Sequence, residues 1–257
     1  MHATLTVLGS GTSMGVPTIG CDCAVCTSTD PHDRRTRPSI MLEYNDAVVL
    51  IDTGPDFREQ ALREKIKRVD AVLYTHGHAD HILGLDDLRP LSFKHGNGLP
   101  LYASESAAQT IEQVFKYAFD SESTYATRPR VRIEPLHSEL DLFGVRFITV
   151  PLLHGDHEVA GFRFGEAAYL TDFSSIPENS MALLHDLDIL FLDALRRKPH
   201  PTHSNLDNSL RLVEELKPRR AFFTHMSHDL KHEETNAALP PDVRLSHDGL
   251  KLEFEIA

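Results

Sequence analysis

The densest chemistry in the chain lies in Thr75-His76-Gly77-His78-Ala79-Asp80-His81, which packs three imidazoles and one carboxylate into six positions. Neutral imidazole and carboxylate together suit zinc, manganese or iron. The H-x-H-x-D-H spacing is far more specific than an ordinary short motif, and chance histidines on a solvated loop account for it poorly. A second cluster lies in Gly20-Cys21-Asp22-Cys23-Ala24-Val25-Cys26, a C-x-C-x-x-C pattern. Three thiolates this close need a fourth ligand to close a tetrahedral structural zinc site. His228, in His225-Met226-Ser227-His228, offers one. Reduced free thiols, or an iron–sulfur site with its last ligand elsewhere, are the alternatives. An odd cysteine count without a secretory signal does not read as a disulfide framework.

Side chains can converge in this way only if regular elements deliver them. Thr4–Leu8 reads as a strand, followed by the small-residue loop Gly9-Ser10-Gly11-Thr12-Ser13. Ile40–Tyr44 and Ala47–Ile51 read as a hairpin closed near Asn45-Asp46. Ala71–Thr75 is a short apolar strand that runs straight into the histidine motif. Further strands are expected at Leu99–Ala103, Val131–Pro135, Val145–Pro151, Gly161–Phe164, Ala167–Thr171, Ile189–Asp193, Ala221–Thr224, Val243–Leu245 and Leu250–Ile256. Helical periodicity marks Phe57–Ile66, Ile82–Phe93, Pro177–Leu184 and Asn205–Leu216. It also marks Ser104–Phe119, with Ser104 as N-cap. The polar stretch Asp120–Arg130 fits no single element. Two groups of strands with helices in both halves predict a layered α/β domain. Asp52 ends an apolar strand in Ile51-Asp52-Thr53-Gly54, and is expected to orient a ligand histidine from behind. A plain turn residue is the alternative there.

A chain of 257 residues can bury a full core without staples. The expectation is one domain, 1–257, with the cysteine loop near 20–27 as part of it. The net charge of −12 comes from 26 basic and 38 acidic residues. That balance argues against a nucleic-acid partner, since polyanion binders are usually basic. Neither a basic, apolar leader nor an apolar run of bilayer length is evident, so a cytoplasmic protein without a membrane partner is expected. A homodimer stays open.

The histidine motif resembles the signature of the metallo-β-lactamase superfamily. The fold this implies is an αββα sandwich, two mixed β-sheets between helical layers. The family's later ligands have counterparts here in the expected order: His154, Asp172 and His225. By resemblance, one divalent cation takes His76, His78 and His154. A second takes Asp80, His81 and His225, and Asp172 bridges the two. His157 competes with His154, and Asp172 could instead cap a helix near Ser174-Ser175. Together, G-x-G-T-S, C-x-C-x-x-C, H-x-H-x-D-H and T-H-x-S-H resemble the PhnP-like branch of cyclic-phosphate phosphodiesterases. The coenzyme-biosynthesis protein PqqB, which shares the cysteine module, is a more distant likeness.

The resemblance implies hydrolysis of a small cyclic or diester phosphate by water activated between two cations, Mn²⁺ or Zn²⁺, with one structural Zn²⁺ apart from them. It casts His203 as an acid near the leaving group, with His200 as competitor, and Asp80 as catalytic through its metal. Arg196, Arg197 and Lys198, on the loop between Asp193 and His203, could hold a second phosphate; a solvated charge run is their plainer reading. The alternatives are an RNA-processing nuclease of the superfamily, a non-catalytic metalloprotein, and a thioester hydrolase. Fold by itself does not choose among these.

Overall fold

The computed structural model describes residues 1–120 and 127–256. Asp120–Arg130, which fitted no element, lies partly outside them. Among the described residues the strands form two seven-stranded sheets. The first holds β1 (His2–Gly9), β2 (Ser39–Tyr44), β3 (Ala47–Ile51), β4 (Ala71–Leu73), β5 (Leu99–Ala103) and β6 (Val131–Pro135). The second holds β7 (Glu139–Leu142), β8 (Val145–His154), β9 (His157–Phe164), β10 (Ala167–Leu170), β11 (Ile189–Asp193), β12 (Arg220–Thr224) and β13 (Val243–Leu245). The chain then returns through β14 (Lys251–Glu255) to pair antiparallel with β1 in the first sheet. Both sheets are mixed: β3 through β6 and β10 through β13 run parallel, and the remaining pairs are antiparallel.

The layering follows from the two faces of each strand. Successive side chains point to opposite faces, and the apolar runs split accordingly. In β11, Ile189 and Phe191 enter the core between the sheets, while Leu190 and Leu192 face outward to helices. In β3, Val49 and Ile51 point inward and Leu50 outward. Strands covered on both faces need near-continuous apolar sequence, and these have it. Three cores result: one between the sheets, and one under the helices of each sheet. The αββα sandwich is therefore the observed architecture.

Local chemistry explains where elements begin and end. Asn45 and Asp46 both take positive φ, 47° and 57°, as the tight hairpin between β2 and β3 requires. Ser104 caps the helix Glu105–Val114 by accepting from the amide of Ala107. Asn205 caps Leu206–Leu216 in the same way, through Asn208 N.

Some expected elements are broken or displaced. The helix expected over Ile82–Phe93 is three short pieces: Ala79–Ile82, a 3-10 turn Leu85–Leu88, and Arg89–Ser92. Gly84 is the reason for the first break, since its amide donates to Thr53 O instead of a helical carbonyl. The expected Ser104–Phe119 helix breaks at Phe115, whose φ of −108° and ψ of 34° leave the helical region. Only Glu178–Met181 of the expected Pro177–Leu184 is helical. β7 and the helix His232–Ala238 were not anticipated. β8 does not stop at Pro151 but runs on to His154, paired there with His157. Among the described residues, no helix is long and apolar enough to cross a membrane.

Candidate metal centre

All the side chains at issue leave the C-terminal ends of strands on one edge of the sandwich, where α/β sheets generally place ligands. Asp52 follows β3, His76 follows β4, His154 ends β8, Asp172 follows β10, Asp193 ends β11 and His225 follows β12. Asp52, Asp172 and His225 take left-handed backbone, with φ of 64°, 53° and 56°. Such backbone costs on the order of 1–3 kcal/mol at a non-glycine residue and persists where the surroundings over-determine it. Here it turns each side chain back across the sheet edge.

The motif itself is held from below. Thr53 N donates to His81 O, and Gly84 N to Thr53 O. Gly54 lies so close that a Cβ there would collide with the Asp80 carbonyl. Asp52 accepts from Thr75 N at 2.9 Å and from Thr75 Oγ at 2.8 Å, and lies 2.7 Å from His81 Nδ1. With Nδ1 held, His81 aims Nε2 at Asp172 and Asp80, each 3.2 Å away.

Two neighbouring groups form. One ligand atom from each of Asp80, His81, Asp172 and His225 lies within 4.8 Å of all the others. Beside them, the His76 ring stands 4.4 Å from that of His78 and 5.8 Å from that of His154, and His78 and His154 are 5.2 Å apart. Asp172 lies between the groups. Its Oδ1 is 3.1 Å from His225 Nε2, and its Oδ2 is 3.8 Å from His76 Nε2. His157, the competitor for His154, is exposed.

The donor set fits divalent cations. His76 Nε2, His225 Nε2, Asp80 Oδ2 and His154 Nδ1 are buried without a hydrogen-bond partner among the described residues. Leaving such atoms unpaired costs free energy that a cation recovers. The electrostatics agree. Burial works against the charged form of His81, yet Asp172, Asp80 and Asp52 hold it well above the usual imidazole range. Burial also opposes His225, which Asp172, Asp80 and Asp193 raise to about 9. Asp80 and Asp172, despite burial, are held well below the usual carboxylate range by His81 and His225. Negative charge is thus in excess, and the protein's own imidazoles make up the balance. His76 and His154 are pushed down by burial, His154 to about 4. They are neutral donors at physiological pH, the form a metal takes.

His203 stands at the rim. Its Nδ1 is 2.8 Å from Asp193 Oδ2, and its ring stacks on His225 with centroids 4.8 Å apart. Asp193 is the residue that sequence reasoning missed. Like Asp52 it ends an apolar strand, and that shared position was the available signal. His200 lies 5.1 Å from His203, ring to ring. Of the three cations on this loop, Arg196 lines the same cavity as His203, Arg197 donates to Thr235, and Lys198 is exposed.

The cysteines form a separate cluster. Cys21, Cys23 and Cys26 place their sulfurs 3.2, 3.5 and 3.3 Å from His228 Nδ1. The amide of Cys26 helps lower the Cys23 thiol to about 6, whereas burial raises that of Cys26 to about 11. Arg35, fully buried, donates to Ser227 O and Leu230 O on either side of His228. Four N/S donors converging on one point fit a closed tetrahedral site. His228 follows His225 by three residues, so the two clusters share one loop. Thr12 N and Met226 O join that loop to the N-terminal segment.

Comparison with known proteins agrees with this architecture. Residues 48–226 match the family described as Beta-lactamase superfamily domain. The solved structure of a new diphosphatase from the PhnP family is 62% identical, with a TM-score of 0.94 over 100% of this chain and 98% of that one. Zn²⁺-bound PqqB from Methylobacterium extorquens shares the fold at 20% identity, with a TM-score of 0.78 over 98% of this chain and 99% of that one. An octanoyltransferase of Porphyromonas gingivalis is 37% identical over 252 residues, 95% of this chain and 50% of that protein. The chain spans half or less of the length of the first curated relatives it matches. Strand-end donors from both sheets, a matched stretch covering most of the chain and a near-complete likeness to a PhnP-family structure lead to one conclusion: the chain belongs to the metallo-β-lactamase superfamily, in its PhnP family.

Proposed function

We propose that the protein hydrolyses a P–O bond in a small disubstituted phosphate, a cyclic or linear phosphodiester. The observation that carries this is a rim histidine held by a carboxylate, His203 on Asp193, beside two groups of metal donors. His76, His78 and His154 would hold one divalent cation, Asp80, His81 and His225 a second, and Asp172 would serve both. Such cations supply Lewis acidity and activate water at neutral pH. Asp80 would act through the cation it would hold. His203 keeps Nδ1 toward Asp193 and so offers Nε2 to the departing oxygen as general acid. Asp193, buried and raised by that burial, fixes the ring rather than touching substrate.

A second reading concerns the bond cleaved. The 62% identical relative is described as a diphosphatase, and a substituted diphosphate offers the same singly charged, doubly substituted phosphorus. The octanoyltransferase is twice this length, and its name does not carry over. Nucleic acid is disfavoured by the net charge of −12. The test is a panel of bis(p-nitrophenyl) phosphate, cyclic ribosyl phosphates, dinucleoside diphosphates and thioesters, assayed with Mn²⁺ and with Zn²⁺. Turnover of a phosphate substrate well above an Asp80→Ala control is expected. Turnover equal to that control on every phosphate overturns the reading.

Two further outcomes follow. The cysteine cluster with His228 is proposed to hold a structural zinc. One zinc equivalent should therefore survive chelation mild enough to strip the active site. Cys23→Ser or His228→Ala should lose that equivalent and unfold at lower temperature, as metal analysis and thermal melts would record. Unchanged retained zinc in Cys23→Ser would exclude the site. At the other cluster, Asp52→Ala removes the partner that aims His81. Metal affinity or activity should fall roughly 10- to 100-fold, measured by metal titration beside turnover. No change in either would make Asp52 a plain turn residue.

A further inference from the structure

Two of the three cysteines share one turn of backbone. Thr27 N donates to Cys23 O at 3.0 Å, which closes a single α-helical turn over Cys23-Ala24-Val25-Cys26. Residues three apart on such a turn lie on one face. The Cys26 amide accordingly donates to the Cys23 sulfur at 3.5 Å. Cys21 lies before the turn, although the ligand atoms of all three cysteines and His228 are within 4.8 Å of one another. Exposure divides the pair. Cys23 is half-buried and Cys26 is buried, while Ile19, Gly20, Asp22 and Ala24 around them are exposed. A small solute reaches the Cys23 sulfur first and finds the Cys26 sulfur behind it. An accessible thiolate with a second cysteine poised beside it is the arrangement of a redox-responsive site.

The partner of these sulfurs connects them to the metal centre. All three lie against His228 Nδ1, three residues from the donor His225. The stretch between is tied to the rim. Met226 N donates to Ser10 O at 3.0 Å, Thr12 N to Met226 O at 3.0 Å and Ser227 N to Leu195 O at 2.9 Å. Leu195 N donates in turn to Ser204 O at 3.0 Å, beside His203. Ser13, Met14 and His228 line one cavity with His203. A displacement of His228 is therefore passed to a metal donor on one side and to the acid's loop on the other.

We infer that Cys23 and Cys26 are a site of oxidation by hydroperoxides, and that the disulfide they form weakens the metal centre by releasing His228. This rests on the structural-zinc and metal-centre readings given above. In the first step the Cys23 thiolate attacks one peroxide oxygen, the O–O bond breaks and hydroxide or alkoxide leaves, so that sulfur becomes a sulfenic acid. The Cys26 thiolate then attacks the Cys23 sulfur, the S–S bond forms and hydroxide leaves. Two electrons pass from the sulfur pair to one peroxide. The cluster falls from four donors to two, Cys21 and His228, too few for a closed tetrahedral site. With His228 unheld, the affinity of the metal centre should drop about 10-fold, the low end of what the outer partner of a ligand is worth.

The zinc-loaded wild-type protein would be treated with a small excess of hydrogen peroxide. Peptide mass mapping locates the oxidised cysteines, a colorimetric chelator counts released zinc, and chelator competition measures active-site affinity once peroxide is removed. A Cys23–Cys26 disulfide is expected, with about one zinc equivalent released per disulfide and the active site binding zinc about 10-fold more weakly. Dithiothreitol with added zinc should restore both. A different pairing, or sulfinic and sulfonic acids without a disulfide, overturns the proposed pair. A disulfide with active-site affinity unchanged, or a loss that dithiothreitol does not reverse, overturns the link to the metal centre. Resistance to peroxide that readily oxidises the chelator-stripped protein makes the cluster a structural zinc only; the inference falls and the structural-zinc reading stands. If the untreated cluster holds no zinc, that reading falls and takes the inference with it. The phosphohydrolase reading is untouched by each of these results.

Discussion

His203→Ala should keep its active-site metal content and lose roughly 10²–10⁴-fold in rate on a cyclic or alkyl phosphodiester, the usual worth of a positioned acid. The same variant should be only mildly impaired on bis(p-nitrophenyl) phosphate, because p-nitrophenolate departs with little need of a proton. The split follows from geometry. Nδ1 of His203 is engaged by Asp193 at 2.8 Å, which leaves Nε2 free for the leaving oxygen. Turnover on both substrates beside metal analysis checks this. Equal losses on both, with metal intact, would mean that His203 binds or orients substrate. Loss of metal would mean something else. A ligand atom of His203 lies within 4.8 Å of one from each of Asp172, Asp193 and His225, and in that case His203 is a ligand.

Asp172→Ala should lose metal and activity together, to the level of the uncatalysed background. Asp172 is the carboxylate between the two donor groups, 3.1 Å from His225 Nε2, 3.2 Å from His81 Nε2 and 3.8 Å from His76 Nε2. Without it both donor groups lose a shared anion, and cations held side by side there would repel each other with less to offset them. The Lewis acidity forfeited is worth several kcal/mol, on the order of 10³-fold or more in rate. Metal analysis after gel filtration, with turnover on the same samples, is the measurement. A variant holding two equivalents of metal beyond the structural zinc, at near wild-type activity, would show that Asp172 bridges nothing. The result contrasts with that expected of His203→Ala, in which rate falls while metal stays.

Several features were legible in the residues themselves. The H-x-H-x-D-H run is local: its ligands lie within six positions, so one turn between β4 and the short helix Ala79–Ile82 can present them. The same holds for C-x-C-x-x-C. Strands such as Ile189–Asp193 announce themselves as continuous apolar runs because both faces are covered. Even Asp52 stood out, as a carboxylate closing such a run.

Other features depended on the fold. Asp193 closes an apolar run just as Asp52 does, but its partner, His203, comes ten residues later on an irregular loop, and no periodicity ties the two. The helix expected over Ile82–Phe93 breaks because Gly84 gives its amide to Thr53 and lies against Gly54, a contact between segments thirty residues apart. β8 reaches His154 because β9 pairs with it to the end of the hairpin, and a strand's length is set by its partner as much as by its own residues. The chain's sequence determined which side chains can ligate metal and which segments must be buried on two faces, since these follow from residue chemistry and short-range spacing. Only the tertiary structure decided which donors meet, that Asp172 lies between the two groups, and that Arg196 and His203 share one cavity, because those distances are fixed by how two separate sheets pack and turn their strand ends toward one edge.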